Sequence, residues 1–507
     1  MSKKGKVYLV GAGPGDIGLI TVKGLRCIRE ADIILYDRLV EPQLLTQANK
    51  EAELIYVGKE AGKSALAQEE TNAILVAKAR EGKIVTRLKG GDPFVLGRGA
   101  EEAEALAKNN IPFEVVPGVS AATAVPAYAG IPLTHRKLAS SFAVITGQET
   151  PDKEGPRIAW DRIATAVDTI VFLMGMENLK LIVEKLIKHG RSASTPVALI
   201  RWGTLPKQQT LVGTLGDIVA KAEAADFRPP TVIVVGDVVT LHQHLNWFTS
   251  KPLFGKRVLV TRPRHQVNKL IELLAQEGAE PIELPVIEIT PPISWADLDF
   301  ALSRLSDYDW IIFTSTNGVD AFFNRLYHHH RDARQLAGTR VCSIGKATAT
   351  ELEKHGIRAD LIPGEYSSSG IISSLQYEQV KGARLLLPRS EIADKMLVEE
   401  LLRRGAQIDQ VSVYNTQLAP EKNSSVKQLF QETGVDIVTF TSPSTVQGLI
   451  ASLQGERGLL QNAVIACIGP VTAKAAEEAG LKVDVMAEEH TMEGLVRALV
   501  EHETPRT

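Results

Sequence analysis

Three clusters in the front half of the chain set small residues, proline and charge at spacings that suit ligand binding. The first is GAGPGDIG (Gly11–Gly18), directly after the apolar run Val7–Val10. Glycines there let a backbone turn sharply and approach a bound group with no Cβ in the way. One reading is a dinucleotide site, because a strand-to-helix turn of the form G-x-G-x-x-G cradles a pyrophosphate. Gly11 and Gly13 fit that form, Asp16 takes the third glycine slot, and Asp37 lies near the place of a ribose-binding acid. A tight turn without any ligand is the other reading.

The second cluster is LKGGDPFVLGRGAEE (Leu88–Glu102), where Gly90 and Gly91 precede Asp92, a carboxylate on a turn that Pro93 stiffens. The third is VVPGVSAATAVPAYAGIPLTHR (Val115–Arg136), whose Pro and Gly spacing opposes a long regular helix. Its small Ser120 and Ala121 leave room for a flat ligand. Loop chemistry explains either segment alone. Both together, after GAGPGD, favour a shaped site, and a nicotinamide dehydrogenase has no use for GGDP.

The back half offers hydroxyls rather than an activated nucleophile, a metal box or a phosphate loop. Thr314, Ser315, Thr348, Ser442 and Thr472 each follow an apolar run and precede a helix-like stretch. At such strand ends, hydroxyls and free backbone N–H groups can hold carboxylates. Ordinary helix capping explains any one of them; several in matched places point to a cleft that grips a polyanion. Adjacent histidines on a helix point in different directions, so His328–His330 reads as a solvated polar run, with no metal expected.

The elements that must position these residues alternate short apolar runs with helix-like stretches throughout, the rhythm of α/β architecture. The pattern pauses after Val232–Val239 and restarts at Lys256–Arg262, which sets a boundary near 250 between domains at 1–250 and 255–507. The back half repeats itself in three ordered blocks: Arg262 and Arg389 are 127 positions apart, Ser315 and Ser442 are 127 apart, and Gly345 and Gly469 are 124 apart. Two similar α/β lobes follow from that repeat.

Composition bounds the classes. The 507 residues are 44% hydrophobic and 23% charged, with a formal net charge of −3, so no global basic field draws in nucleic acid. Three cysteines (Cys27, Cys342, Cys467) without a C-x-x-C pair make no disulfide framework and suit a reducing cytosol. No signal-peptide core and no membrane-length apolar run stand in the sequence. The expectation is a cytoplasmic protein that does not contact membrane. A bilobal small-ligand binding protein is a rival from a different class, although its extracytoplasmic forms need a signal segment.

Residues 5–248 resemble the uroporphyrinogen-III C-methyltransferases, and more broadly the tetrapyrrole methylases, through VYLVGAGPGD, ADIILYDRLV, VGKEAG, RLKGGDPFVLGRGAEE, VVPGVSAATAVPAYAGIPLTHR, VALIRWGT and LNWF. The resemblance implies a two-lobed α/β methylase fold, usually a homodimer, with the site between the lobes. It implies S-adenosylmethionine at Pro14, Gly90, Gly91, Asp92, Val95, Ser120, Ala121, Met174 and Gly203. It implies Asp37 as proton acceptor and Lys59 as proton donor, with Arg98, Glu101 and Arg136 holding substrate or assisting proton removal. Arg38, Lys89, Arg98, Arg136 and Arg201 are the cations available to a polycarboxylate macrocycle. Leu96 and Ala100 depart from the family's usual F-G-R-G-G-E-E.

Residues 255–500 resemble the uroporphyrinogen-III synthases through VLVTRP, WIIFTSTNGV, SIGKATA, VYNT, TFTSPSTV and CIGPVTAKAAEEAG. That implies a two-lobed α/β fold whose lobes, about 255–288 with 418–500 and about 290–416, are joined by two strands near VIEIT and VYNTQ. It implies closure of hydroxymethylbilane, with Tyr414 assisting loss of the hydroxyl. The stretch RSEIAD (Arg389–Asp394) lacks a second Arg that the family usually carries.

Overall fold

The computed structural model describes residues 5–58, 68–148, 158–262, 268–375, 380–390, 395–418, 429–454 and 456–504. The chain divides into two compact units, Met1–Lys256 with Glu277–Glu280, and Arg257–Gln276 with Pro281–Thr507.

The first unit holds two five-stranded sheets. β1 (Lys6–Gly11), β2 (Ile33–Tyr36), β3 (Glu53–Tyr56), β4 (Ile84–Lys89) and β5 (Phe113–Val116) form a parallel sheet in the order β3-β2-β4-β1-β5. Successive residues of a strand face opposite sides. Val7, Leu9, Ile33, Leu35 and Val85 join one core, and Val10, Ile34, Leu88 and Val116 join the other. Burial of both faces is what a parallel sheet demands. The helix after β1 packs Cys27 and Ile28 on one side, and the helix after β4 packs Ala103 and Leu106 on the other. The chain therefore leaves the central neighbours β1 and β4 to opposite faces, which opens a crevice at their C-terminal ends.

The second sheet is mixed. β6 (Phe142–Thr146), β7 (Thr169–Leu173), β8 (Pro196–Arg201), β9 (Gln209–Thr214) and β10 (Thr231–Val235) run in the order β6-β7-β10-β8-β9. Only β6 and β7 pair in parallel.

The second unit continues with β11 (Arg257–Val260), β12 (Glu280–Glu283), β13 (Ile287–Thr290), β14 (Trp310–Phe313), β15 (Arg340–Ser343), β16 (Arg384–Ser390), β17 (Gln407–Leu418), β18 (Ile437–Phe440), β19 (Val464–Cys467) and β20 (Val485–Met486). One sheet is β12-β11-β18-β19-β20 and the other is β13-β17-β16-β14-β15. The chain enters the first, crosses on β13, builds the second and returns along the far half of β17. β13 and that half of β17 pair antiparallel, Ile287 opposite Leu418 and Thr290 opposite Asn415. This is the two-stranded connection expected from VIEIT and VYNTQ.

The internal repeat is geometric as well as verbal. Ser315 after β14 and Ser442 after β18 cap helices with φ/ψ of −162°/155° and −164°/159°. Gly345 after β15 and Gly469 after β19 occupy the same cap position. Among the described residues no helix is long and apolar enough to cross a membrane, and the three cysteines are free and buried.

The core of the second lobe predicts a sharp contrast. Phe322 is fully buried and packs edge-on against Phe313 and Phe323, at centroid distances of 5.4 and 5.3 Å. Phe322→Ala should destabilise that unit by about 3–5 kcal/mol. Ile293→Ala, at a side chain 93% exposed, should stay within about 0.5 kcal/mol. Urea unfolding of the two variants checks this.

Candidate active sites

At the open end of the first sheet the three glycine clusters are joined to one another. Gly13 and Gly91 exchange two backbone hydrogen bonds, of 3.2 and 2.7 Å. Asp92 accepts from the Phe94 N–H at 2.8 Å with one oxygen and from the Gly118 N–H at 3.0 Å with the other. A Cβ on Gly11 would lie 2.5 Å from the Gly118 Cα and 2.6 Å from the Gly91 carbonyl. Backbones that close admit only glycine, so Gly11 is required by packing between motifs. A Cβ on Gly91 would meet nothing nearer than the Ala121 N at 3.6 Å; its φ of +68° requires glycine instead.

Asp16, the residue that breaks the dinucleotide fingerprint, ties the turn to the second sheet's side of the unit. Its backbone N–H donates to the Thr204 Oγ1 at 3.1 Å, and its carboxylate accepts from the Tyr128 hydroxyl at 2.6 Å. Ser120 caps the helix Ala121–Tyr128, accepting from the Ala122 N–H at 3.2 Å. That helix is only eight residues long and carries Pro126 inside it, in line with the Pro and Gly punctuation.

Pro14, Gly90 and Ser120 are half-buried, Val95 is 38% exposed and Met174 is 50% exposed. Non-glycine residues with left-handed backbone concentrate in the same loops: Leu96, Arg98, Met174, Trp202 and Thr204. Strain of this kind gathers where surrounding structure holds a site in shape. Gly203, between two of them, packs so closely on Val125 that a Cβ would overlap that side chain.

Beneath these loops lies a buried charge network. Arg87 donates from Nε to the Glu102 Oε1 at 3.0 Å and from Nη2 to the Asp37 Oδ1 at 2.6 Å. Lys89 donates to the same Glu102 oxygen at 2.9 Å and stands 3.9 Å from the Asp37 Oδ2. Burial by itself would lower the Arg87 guanidinium, but Glu102 and Asp37 outweigh it and hold it above its ordinary value. Burial, then the Arg87 charge, holds Lys89 below the ordinary lysine value.

This arrangement corrects one expectation. Lys89 is 3% exposed and locked to Glu102, so it is not a cation open to a large substrate. Arg38 and Arg136 are exposed and, among the described residues, unpaired, while Arg201 is half-buried. Arg98 and Glu101 form a two-pronged exposed pair with each other, at 2.6 to 3.1 Å. Lys59 lies outside the described residues. Sequence reasoning missed Arg87 and Glu102. The signal was present in the i, i+2 spacing of Arg87 and Lys89 on one strand face, opposite a helix with tandem Glu101 and Glu102.

In the second unit, Ser315 accepts from the Gly318 N–H at 3.0 Å and stands 3.1 Å from the Tyr414 hydroxyl. Tyr414 borders a cavity of about 550 Å³, together with Asn317, Asp320, Arg325 and Trp295. Burial pushes the phenol up from its ordinary value, which keeps it a hydrogen-bond donor. Thr314 and Ser442 are half-buried at their strand ends, and the Ser442 Oγ lies 2.9 Å from the Ser444 Oγ. Thr348 and Thr472 do not belong to an open rim. They sit in the first turn of their helices with exposures of 3% and 4%, because the repeat turns that position inward in both lobes.

Asp320 was also missed; burial, and then Glu351, raise its carboxyl above the usual range. The run His328–His330 is divided: His328 borders the cavity and the His329 Nε2 is 2.8 Å from the Asp299 Oδ1.

The fold and these sites define two consecutive two-lobed α/β units with ligand-shaped loops at their strand ends. The model of the tetrapyrrole (corrin/porphyrin) methylases matches residues 6–219, and that of the uroporphyrinogen-III synthase HemD matches residues 268–497. The porphyrin biosynthesis protein HemD of Ruminiclostridium josui is 40% identical over 499 residues, covering 98% of both chains. The uroporphyrinogen-III C-methyltransferase of Bacillus subtilis is 41% identical over 373 residues, 73% of this chain and 76% of that one. Its namesake from Methanocaldococcus jannaschii is 57% identical over 238 residues, 47% of this chain and 98% of that one. The chain belongs to the family of porphyrin biosynthesis proteins in which a tetrapyrrole methylase precedes a HemD-type uroporphyrinogen-III synthase.

The cavity wall yields a prediction in pH. Arg325 donates to both oxygens of Asp299, at 2.7 and 2.6 Å. Hydrogen bonds from Arg325, and then from His329, hold the Asp299 carboxyl down at about 2. An unfolded aspartate titrates at about 3.9. A depressed folded value means that the pair's contribution is fully present above about pH 4 and is lost as pH falls toward about 2. The melting-temperature gap between wild type and Asp299→Asn should therefore narrow as pH falls through that window. A gap unchanged from pH 6 to 2.5 would contradict it.

Proposed function

We propose that the chain carries out two consecutive steps on tetrapyrroles, with domains at 1–250 and 255–507. The second unit closes hydroxymethylbilane to uroporphyrinogen III, with loss of water and inversion of the last ring. The first unit methylates that product twice, at carbons 2 and 7, from S-adenosylmethionine, giving precorrin-2 for sirohaem or cobalamin. The observation that carries the reading is the joining of Gly13, Gly91, Asp92 and Gly118 into one edge above the Asp37 network, in a chain whose full-length relative is a porphyrin biosynthesis protein.

The residues present suit the methyl donor. Gly91 and Ala121 put little or no side chain in the way of a flat nucleoside, and the exposed apolar Val95 and Met174 can cover one. Pro14, Gly90, Asp92, Ser120 and Gly203 would complete the contacts. The donor supplies a methyl group on a sulfonium. The protein aligns the accepting pyrrole carbon with it, a positioning task. Asp37 then accepts the proton from that carbon, Lys59 serves as donor, Arg38, Arg98 and Arg136 hold the substrate's carboxylates, and Glu101, paired with Arg98, assists proton removal. Methyl transfer of this kind calls for no metal. In the second unit the Tyr414 phenol donates to the departing hydroxyl, and Thr314, Ser315 and Ser442 present strand-end donors to carboxylates. Thr348 and Thr472 act there only by packing. We expect a cytoplasmic homodimer through the first unit.

Feeding the purified chain hydroxymethylbilane under anaerobic conditions tests both steps. Type-III uroporphyrinogen without donor, and a dimethylated product with it, are expected by chromatography and mass. Type-I isomer alone would remove the synthase reading, since that isomer forms by spontaneous closure. Type-III product that is never methylated would remove the methyltransferase reading. For the donor itself, Asp92→Ala deletes two charge-assisted bonds that shape the loop. Calorimetry should show S-adenosylmethionine binding at least about tenfold weaker; equal affinity would exclude Asp92 from that role.

A further inference from the structure

We infer that Glu102 is a positioning residue of the methyltransferase unit, whose buried carboxylate shares Arg87 and Lys89 with Asp37 and so fixes Asp37 at the substrate edge. The inference rests on the proposed role of Asp37 and adds a residue to it.

Glu102 has no solvent exposure. Three donors converge on its Oε1: Arg87 Nε at 3.0 Å, Lys89 Nζ at 2.9 Å and Gln68 Nε2 at 3.2 Å. Its Oε2 is buried, without a hydrogen-bond partner among the described residues. Two of the donors on Oε1 also reach toward Asp37. The guanidinium bridges Glu102 to one oxygen of Asp37, and the ammonium lies between Glu102 and the other. Each oxygen of Asp37 is thus addressed by a cation that Glu102 holds from behind. Arg87 and Lys89 side chains are 4% exposed, whereas that of Asp37 is 30% exposed, so Asp37 is the one member that faces outward.

Charge counting gives the consequence. Two cations and two carboxylates are balanced. Without the Glu102 charge, both cations fall to Asp37 alone, bind it more tightly and draw it back from the edge. Asp37 then becomes a poorer acceptor of a proton from substrate, while the donor loops, built on Gly13, Gly91 and Gly118, are untouched.

Glu102→Gln in the full chain keeps the shape and removes the charge. The expected result is a kcat for methylation lower by about 10- to 100-fold, with KM for uroporphyrinogen III and the affinity for S-adenosylmethionine each within about twofold. Adding Lys89→Met restores the balance, and the double variant should recover kcat relative to the single one. Wild-type kcat in Glu102→Gln overturns the inference, as does a folded double variant no faster than the single. If Glu102→Gln does not fold, a folded double variant decides: kcat within about tenfold of wild type sustains the inference, and an inactive one ends it. If neither variant folds, Glu102 serves stability and the inference falls. Asp37→Asn separates the two levels: wild-type kcat there would remove the reading of Asp37 itself, whereas loss in Asp37→Asn but not in Glu102→Gln removes only the role of Glu102.

Discussion

The first unit depends on a close approach of backbone to backbone. Gly11, Gly91 and Gly118 meet so tightly that a single Cβ on Gly11 would overlap two other segments of the backbone at once. Three loops that are distant in sequence become one surface because no side chain separates them. Asp92 then locks the arrangement through backbone N–H groups rather than through another side chain. The left-handed residues Leu96, Met174, Trp202 and Thr204 are held in the same set of loops.

The charge on this unit follows a different rule from its surface composition. A net charge near neutrality says nothing about where cations are buried. Arg87 and Lys89 are buried, each matched by Glu102, while Arg38 and Arg136 are exposed and, among the described residues, unpaired. Buried, paired cations and exposed ones are thus separate sets. The distinction matters because a buried ion pair responds to the loss of one partner far more than an exposed one does.

The second unit obtains its two lobes from duplication of a strand-cap-helix unit. The matching backbone angles of Ser315 and Ser442 show how closely the copies agree. They differ in what the capping serine meets. Ser315 meets Tyr414, on the strand that returns to the first lobe, whereas Ser442 turns to Ser444. One lobe therefore sets its cap against the phenol and the cavity beside it, and in the copy the cap meets a second serine.

The α/β alternation, the repeat and the three glycine clusters were legible in the sequence, because strand burial, turn conformation and duplication all leave periodic or compositional marks. The pairing of VIEIT with VYNTQ was also legible. The exposure of individual polar residues was not. Glu101 and Glu102 are adjacent letters, yet helix geometry turns successive residues by about 100°, so one pairs with Arg98 in solvent and the other is sealed beneath Asp37. Thr348 and Thr472 carry a hydroxyl like Ser315, but they stand three positions past the cap, where the helix turns them inward. Asp16 looked like a break in a motif until the fold brought Tyr128 and Thr204 to it. The sequence by itself determined which segments form strands and turns, since those choices rest on local preference and pattern. Only the tertiary structure decided which charges are partners and which are free, because that depends on neighbours many residues away.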